Sequence, residues 1–367
     1  MPNVRCLAKS PRAGACAIAI AACLFGCSDN STNIAPAAFT GLGILPGYSS
    51  SRATAISADG NVVAGTVATT SGNRQAFRWT AVPGMAGIGF LPGGTTSAAT
   101  GASADGAVIV GDGDAINGAP PLSSAAFRWT AETGAQHVPD LRASQLCVAA
   151  GVSGDGTIVV GTCLQNANTA FRWSAATGPV ALSRFGSGSG QQSAATAISA
   201  DGSVIAGVGH PVLTGAVTWA GDGSATVLGK LPGDAEATAT AVSRDGSVVV
   251  GVSTSNAGIP RGFRWTLASG VIELGGPASG TVAASVSGDG NTIVGWSPEA
   301  PGDVALIWDA GHGWRTLATV LASDYQTQVS GWSLRRATAI SDDGRIIAGH
   351  GTNPLGQAEA WVVKLPH

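Results

Sequence analysis

The chain has 367 residues, and only 11% of them are Asp, Glu, Lys or Arg, against about 25% in an average soluble domain. At 44% hydrophobic residues it is too apolar for intrinsic disorder, and its 54 glycines lack the Gly-X-Y period of collagen. A net charge of −3 gives no support to a basic surface for nucleic acid. The composition is typical of many short strands joined by glycine-rich turns.

Residues 1–26 are predicted to form a lipoprotein signal peptide. Three basic residues precede an apolar run from residue 13 to residue 25, which is too short to make a good transmembrane helix. The run ends in Leu-Phe-Gly-Cys, which resembles the bacterial lipobox and implies cleavage before Cys27 and lipidation of that residue. Ser28 favours the outer membrane in bacteria that sort lipoproteins by this position. An ordinary signal peptide cut nearby, with a periplasmic or secreted product, is the alternative.

A short linker, residues 27–38, is followed by seven repeats in residues 39–366. Each repeat has an x-Asp-Gly turn between two apolar runs, and the turns recur every 44 to 54 residues. Downstream comes a segment such as Ala-Phe-Arg-Trp-Thr and, in six of the seven repeats, a further apolar run after a short glycine turn. The turn aspartates are Asp59, Asp105, Asp155, Asp201, Asp245, Asp289 and Asp343.

The four runs of a repeat predict four antiparallel strands. The turn fits a three-residue hairpin loop closed by glycine in the left-handed region. Phe and Trp alternate with Arg in the third run, as a strand requires, while runs such as Val-Val-Ala-Gly lack alternation and indicate burial on both faces. Seven such units predict an all-β fold, a seven-bladed β-propeller. A linear solenoid is the alternative, but it needs capping repeats that the sequence does not show.

The ring is expected to close through the N-terminal end of the repeat region. Residues 39–47 are a lone copy of the fourth strand with no repeat before them, whereas the final unit, from Arg336 on, has only three strands. We therefore predict that residues 39–47 supply the missing strand of the last blade, since an open ring leaves edge strands unpaired.

The pattern Ser-x-Asp-Gly-x-Val-Val-x-Gly, then Ala-Phe-Arg-Trp-Thr, then Leu-Gly-x-Leu-Pro-Gly-Gly, resembles the bacterial HAF-repeat family of extracellular repeat proteins. The resemblance covers about residues 39–366 and includes the final unit, residues 330–366. It implies a secreted or surface location and little chemistry. Many relatives end in a sorting signal or a membrane barrel; this chain stops at His367 with neither, so anchoring is expected through Cys27.

The first strand of each blade, such as Ala-Thr-Ala-Ile-Ser, is expected to line a central channel where only small side chains fit. The seven inner strands are expected to contain no ionisable residue. The wall therefore offers no pair of carboxylates about 5–9.5 Å apart for a glycosidase mechanism. The turn aspartates are interpreted as turn formers, with a calcium-binding ring as the alternative. We predict no catalytic residue, no metal and no cofactor.

A disulfide is predicted between Cys147 and Cys163, which lie eight residues on either side of Asp155. Across a hairpin with a three-residue loop they are direct neighbours, with Cα atoms about 4.5–5.5 Å apart, inside the disulfide range. Export would place both in an oxidising compartment. A change of register by one residue would prevent the bond.

Tryptophans that recur at one position of the third strand are interpreted as core packing between blades. The arginines beside them are expected to flank the strands with their stems packed. These tryptophans are Trp79, Trp129, Trp173, Trp219, Trp265 and Trp308, and the arginines are Arg78, Arg128, Arg172 and Arg264.

Binding is expected on one face of the ring. The x-Asp-Gly turns and the short turns after the third strand share a face, which we call the turn face. The connections on the opposite, variable face differ in length and sequence, and loops on a rigid scaffold commonly carry function. Trp296, Tyr325, Trp332 and His350 are candidate binding residues there. For Trp332 the alternative is that it plugs the base of its own loop.

These features predict a monomeric cell-envelope propeller that binds a protein or a glycan through its variable face. It would reach the membrane through its lipid anchor only. A structural component of the envelope or of an extracellular matrix is the second possibility. A hydrolase or lyase is the third, and it would need loop-borne acids and bases clustered at the channel mouth.

Overall fold

The computed structural model describes residues 36–114, 124–142, 146–164, 167–185, 191–210 and 215–366. The predicted signal peptide, Cys27 and most of the linker lie outside the described residues. Among the residues described, no helix is long and apolar enough to cross a membrane.

The described chain forms seven four-stranded antiparallel blades in a ring, which confirms the predicted β-propeller. The chain order within a blade runs from the channel outward. Blade 1 contains β2 (Ser50–Ile56), β3 (Val63–Ala68), β4 (Arg74–Thr80) and β5 (Gly84–Gly87). Blade 2 contains β6 (Ser97–Ala102), β7 (Ile109–Gly113), β8 (Ala125–Thr130) and β9 (Gly134–His137). Blade 3 contains β10 (Leu146–Val152), β11 (Ile158–Leu164), β12 (Thr169–Ser174) and β13 (Gly178–Ala181).

The remaining four blades follow the same order, and the last one takes in the first strand of the chain. Blade 4 contains β14 (Gln192–Ile198), β15 (Val204–His210), β16 (Gly215–Ala220) and β17 (Ala225–Gly229). Blade 5 contains β18 (Asp234–Val242), β19 (Val248–Ser255), β20 (Pro260–Thr266) and β21 (Gly270–Glu273). Blade 6 contains β22 (Val282–Val286), β23 (Thr292–Ser297), β24 (Val304–Asp309) and β25 (Gly313–Thr316), followed by the helix α1 (Leu317–Ser323). Blade 7 contains β26 (Ser333–Ile340), β27 (Ile346–Thr352), β28 (Ala358–Lys364) and β1 (Ala38–Gly43).

Blade 7 is therefore built from both ends of the described chain. β1 pairs antiparallel with β28 and forms the outer edge of the blade. Ser51 Oγ donates to Gly43 O at 2.7 Å and accepts from Ala360 N at 2.9 Å. Ser97 makes the equivalent two bonds where blade 1 meets blade 2. The predicted closure by an N-terminal strand is confirmed, and the strand itself is shorter than the segment predicted.

A closed ring of seven backbone hydrogen bonds joins the blades at the turn face. In each blade the residue before the turn aspartate donates its N–H to the carbonyl of the equivalent residue in the next blade, at 2.8–3.2 Å. The last bond runs from Asp342 N in blade 7 to Ala58 O in blade 1. A linear solenoid cannot form that bond, so the alternative fold is excluded. The seven residues are Ala58, Ala104, Gly154, Ala200, Arg244, Gly288 and Asp342.

Each turn aspartate is bound within its own turn, as Asp105 illustrates. Its Oδ1 accepts from Ser103 Oγ at 2.6 Å and from Ala107 N at 2.9 Å, and these bonds lower the pKa of Asp105. Gly106 has φ +64°, and a Cβ there would lie 2.4 Å from Val62 of the preceding blade. The Ser-to-Asp bond recurs in the other six turns, which supports the interpretation as turn formers.

Phenylalanine, rather than tryptophan, is the fully buried side chain of the third strand in four blades. The phenylalanines with no exposed surface are Phe77, Phe127, Phe171 and Phe263. The tryptophans two residues further on are half-buried at the blade interfaces. In blade 4, Val217 takes the place of the phenylalanine and Trp219 is fully buried instead.

Three of the four arginines beside the third-strand tryptophans join neighbouring blades, whereas the buried Nε of Arg172 has no hydrogen-bond partner in the described chain. Nε of Arg78 donates to Gly106 O at 3.2 Å, and Nε of Arg128 donates to Gly156 O at 3.0 Å, in each case in the turn of the following blade. Arg264 makes the same bond at 3.4 Å. These side chains therefore do more than flank their strands, because they connect one repeat to the next.

Cys147 and Cys163 are joined by a disulfide in blade 3. The two residues are directly opposite in the register of β10 and β11, with Cα atoms 3.9 Å apart, and both are fully buried. Cys147 occupies the position that Ser97 has in blade 2 and Ser193 has in blade 4. Each of these serines accepts a hydrogen bond from the preceding blade, whereas in blade 3 the position is taken by the disulfide.

Candidate binding site at the channel mouth

The channel wall consists of uncharged, mostly small side chains, as the pattern of the first strands predicts, with a few larger apolar ones such as Ile56 and Ile198. In five blades a threonine donates its hydroxyl to a carbonyl of the next blade; Thr54 Oγ1, for example, lies 2.7 Å from Ala99 O. These threonines are Thr54, Thr100, Thr196, Thr240 and Thr338. Blades 3 and 6 have Ala150 and Ala284 at this position. The cavity along the wall is about 220 Å³, and its lining offers no charged group.

Charged side chains lie at both ends of the channel, and several at the variable-face end come from the first strands themselves. Some of the first strands begin several residues before the Ala-Thr-Ala-Ile-Ser segments, so β2 includes Arg52, β18 includes Asp234 and Glu236, and β26 includes Arg335 and Arg336. The expectation that the inner strands lack ionisable residues is corrected on this point. The sequence carries a signal for this, since Arg52 and Arg336 each lie directly before an Ala-Thr-Ala-Ile-Ser segment, and the strands extend further than the small-residue pattern alone indicates.

Arg52 and Arg336 occupy one layer of the propeller, which we call the mouth layer. In blade 1, Ala53 of β2 pairs with Gly65 of β3, and the next pair toward the variable face is Arg52 with Thr66. The mouth layer consists of this second pair and the equivalent pair of every other blade. The first-strand members are Arg52, Ala98, Val148, Ala194, Thr238, Val282 and Arg336. The second-strand members are Thr66, Asp112, Thr162, Val208, Val252, Trp296 and His350.

Trp296 and Arg336 are in contact across the interface of blades 6 and 7. The guanidinium carbon of Arg336 lies 4.6 Å from the centre of the Trp296 ring, within the range of a cation–π interaction. Nε of Arg336 also donates to Asp303 Oδ2 in the loop before β24. The charge of Arg336 is therefore compensated, and its side chain is fixed between a ring and a carboxylate.

His350 lies in the mouth layer of blade 7, next to Arg336 in the strand register. Its Nδ1 is buried and has no hydrogen-bond partner among the described residues. Burial lowers the pKa of His350 to about 4, with further contributions from Arg52 and Arg336 and an opposing one from Asp303. His350 is therefore neutral at pH 7.

Arg52 of blade 1 acts electrostatically on His350 of blade 7. In the same direction around the ring, Arg336 of blade 7 contacts Trp296 of blade 6. The two arginines have the same register position, and the residues they approach, His350 and Trp296, also share one position. Arg336 has Asp303 as a partner, whereas the exposed side chain of Arg52 has no ion pair or hydrogen bond within the described residues. The repeat thus places an arginine and a ring at equivalent register positions at two blade interfaces, and within the described residues only Arg336 has an ion-pair partner.

The other ionisable member of the mouth layer is paired. Asp112 binds Arg74 with an Nη2–Oδ2 distance of 2.7 Å. Burial raises the pKa of Asp112, and the charge of Arg74 opposes that rise. This pair joins blades 1 and 2 and leaves no charge available at that side of the mouth.

Tyr325 and Trp332 lie outside the mouth layer. Both pack partly buried against the apolar cluster of blades 6 and 7 that includes Leu321 and Trp361. Trp332 meets Phe39 of β1 edge to face, which agrees with the alternative that Trp332 closes the base of its loop. The four candidate residues therefore divide into two pairs, and only Trp296 and His350 belong to the channel mouth.

The turn-face end of the channel has a different chemistry. Arg244 of blade 5 and Asp342 of blade 7 form an ion pair there, past Gly288 of blade 6. In the part of the chain that the structure describes, no three His, Cys, Asp or Glu side chains are placed to hold a metal ion. The variable-face mouth is the better candidate site because it combines an uncompensated arginine with a neutral histidine and a tryptophan.

No family model and no curated protein matches the sequence. Solved structures of similar fold include an oligogalacturonate lyase from Vibrio parahaemolyticus, with 14% identity, a TM-score of 0.58, and coverage of 92% of this chain and 96% of that chain. An oligogalacturonate lyase in complex with manganese has 14% identity, a TM-score of 0.56 and coverage of 90% and 97%.

The β-propeller domain of the trilobed protease from Pyrococcus furiosus is also similar, with 12% identity, a TM-score of 0.56 and coverage of 88% of this chain and 97% of that chain. At these identities the likeness shows the fold alone. The chain is thus a β-propeller, and its function has to be argued from its own residues.

Proposed function

We propose that this chain is an exported binding propeller of the bacterial cell envelope, and that it takes a protein or glycan ligand at its variable face. The mouth layer carries the proposal. Two arginines, a tryptophan and a histidine from three adjacent blades meet at the end of a channel wall that is otherwise small and uncharged. They project from paired strands rather than from mobile loops, and such rigid placement favours specific binding.

The envelope location rests on two features. Residues 1–26 have the pattern of a secretory signal that ends in a lipobox, with Cys27 as the lipidated residue. The buried disulfide in blade 3 is the kind of bond that persists in oxidising compartments outside the cytoplasm. The anchor at Cys27 would place the propeller at the outer membrane, with its ligand in the periplasm or outside the cell.

A structural envelope component is the second candidate, and a hydrolase or lyase is the third. A structural component has no need of an uncompensated arginine at a channel mouth. Catalysis by acid and base would need free carboxylates or a histidine that titrates near neutral pH. Near the mouth, Asp112 and Asp303 are each bound to an arginine, and His350 is neutral well below pH 7. Glu299 in the loop before β24 is exposed and stands without a second acid or base in the mouth layer to work with it.

A glycan array and a pull-down from envelope extract test the binding function. Trp296→Ala and Arg336→Gln should each abolish retention of the ligand found with the wild type. The matched control is Arg244→Gln, which removes an arginine from the opposite end of the channel and should bind like the wild type. If the turn-face variant loses binding while the mouth variants keep it, the site is on the other face. If the wild type retains nothing, the structural role is favoured.

Cell fractionation tests the location. Replacement of Cys27 by Ser should stop lipidation and release the protein from the membrane fraction. Processing and membrane retention equal to those of the wild type would contradict the lipobox interpretation, whatever the result at the variable face.

A further inference from the structure

The charge balance of the mouth layer points to a particular kind of ligand group. Arg336 is neutralised by Asp303 and Asp112 is neutralised by Arg74. His350 adds no charge at pH 7. One positive charge, that of Arg52, is therefore left at the junction of blades 7 and 1.

Arg52 departs from the repeat at its position in the first strand. Blade 7 has Arg336 at the same register position, and the other five blades have Ala, Val or Thr there. The neighbouring His350 has a buried Nδ1 without a hydrogen-bond partner in the described chain. A buried polar atom without a partner is destabilising, so a ligand whose binding turns the His350 ring and supplies the missing bond would be favoured.

We propose that the junction of blades 7 and 1 binds a carboxylate group, with Arg52 as its ionic partner and His350 as a hydrogen-bonding partner. The inference rests on the proposed binding function and names the chemical class of the ligand. A guanidinium fork matches a carboxylate with two parallel hydrogen bonds. A singly charged carboxylate balances the single free charge, whereas a doubly charged phosphate would leave a negative charge at the mouth.

Protonation should be coupled to this binding. The charged groups that face His350 are Arg52 from β2, Arg336 from β26 and Asp303 from the loop before β24. Glu359 of β28 is bound to Gly43 N and Asn353 Nδ2 instead. A bound carboxylate offsets the two arginines and favours the imidazolium form, so affinity should rise as the pH falls from 6.5 toward 4.

NMR titration of the protein with glucuronate tests the proposal, with glucose as the matched neutral sugar and N-acetylalanine as the same charge on a peptide-like body. Glucuronate or N-acetylalanine should shift the His350 ring resonances in a saturable way, and glucose should not. The acid that binds more tightly identifies the source of the carboxylate as a glycan or as a peptide end. Inorganic phosphate should bind at least tenfold more weakly.

The variants decide whether Arg52 is responsible. Arg52→Gln should weaken carboxylate binding at least tenfold, and Arg52→Lys, which keeps the charge but loses the fork, should lie in between. The control is Arg142→Gln, an exposed arginine in the crossing from blade 2 to blade 3, which should bind within twofold of the wild type. Unchanged melting curves show that the variants are folded.

Three results would overturn the proposal: no binding of either acid, equal binding of glucose, or equal losses in Arg52→Gln and Arg142→Gln. If the ligand of the pull-down still depends on Trp296 in that case, the binding function survives and only the carboxylate assignment fails. If that dependence is also absent, both fail.

Discussion

Phe39 in the first strand and Trp332 in the approach to the last blade pack edge to face, with ring centroids 5.1 Å apart. Phe39 also lies 6.4 Å from the ring of Trp361. These contacts fix β1 onto blade 7 from the side of the core, while its backbone pairs with β28. Closure of the ring therefore depends on aromatic packing as well as on strand pairing.

Replacement of Phe39 by Ala should reduce the free energy of unfolding by about 2 kcal/mol, roughly half the loss for a fully buried phenylalanine, because the ring is half-buried. Urea denaturation measures it. Leu267→Ala is the control, since that side chain is 90% exposed and its loss should change nothing. Deletion of residues 39–47 should lower the melting temperature further. An unchanged melting curve after the deletion would contradict closure by this strand.

The disulfide should contribute about 3 kcal/mol, the value expected when a bond closes a loop of this length, since its cysteines are 16 residues apart. Labelling of the unreduced protein with a thiol reagent should find neither Cys147 nor Cys163 free. The double variant Cys147→Ser with Cys163→Val copies the pair found in blade 1, Ser51 and Val67, and should lose less stability than Ala at both positions. Two reactive thiols before reduction would exclude the bond.

The hydrogen bonds that the channel threonines make to the next blade should each contribute a similar amount to the free energy of unfolding. Thr240→Ala removes the 2.6 Å hydrogen bond to Ala283 O and should lower stability by about 1 kcal/mol. Ala284→Thr gives blade 6 the residue that five blades already have and should not lower stability. Urea midpoints of the two variants provide the comparison. A larger loss for Ala284→Thr than for Thr240→Ala would mean that blade 6 lacks room for the hydroxyl.

His350 should make stability depend on pH between 6.5 and 4. Its pKa falls from an ordinary value of 6.5 to about 4 in the folded protein, so the unfolded chain takes up its proton first as the pH is lowered. Stability from this group is complete above pH 6.5 and is lost as the pH falls to 4. NMR titration of the ring should give the low value directly. His350→Gln should remove the slope in this window, and a ring that titrates near 6.5 would contradict the burial.

The turn aspartates should act at lower pH. The pKa of Asp105 lies below its usual 3.8 because of the bonds from Ser103 and Ala107, so protonation favours the unfolded chain. Stability should therefore fall as the pH drops below about 4. Asp105→Asn should be less stable than the wild type at pH 7, and the difference should shrink at pH 3. An equal difference at both values would mean that the charge is not what the turn uses.

The repeated parts of the molecule could be predicted from the sequence because each signal occurs seven times. The turns, the small inner strands and the missing fourth strand of the last unit all follow from comparison of one repeat with another. Cys147 and Cys163 could be paired because their distance from Asp155 is the same on both sides. The physical reason is that the register of a hairpin is set by its turn.

The site could not be predicted in the same way, because its residues depart from the repeat. Trp296 and His350 stand out in the sequence because they break the repeat pattern. Only the strand pairing shows that they occupy the same position in neighbouring blades. Arg52 and Arg336 were missed since each looks like a residue at the end of a loop. Tyr325 and Trp332 were grouped with them by position in the chain, and packing against Phe39 and α1 separates them.

The closed ring has a consequence for the order in which the molecule becomes functional. Thr338 of blade 7 bonds to Ala53 of blade 1, 285 residues away along the chain, and Arg52 and His350 lie beside this junction. A growing or truncated chain that ends before β26 contains all the strands of six blades, yet it has only half of the proposed pocket. Ligand binding should therefore distinguish the closed seven-bladed ring from shorter chains that contain most of the same blades.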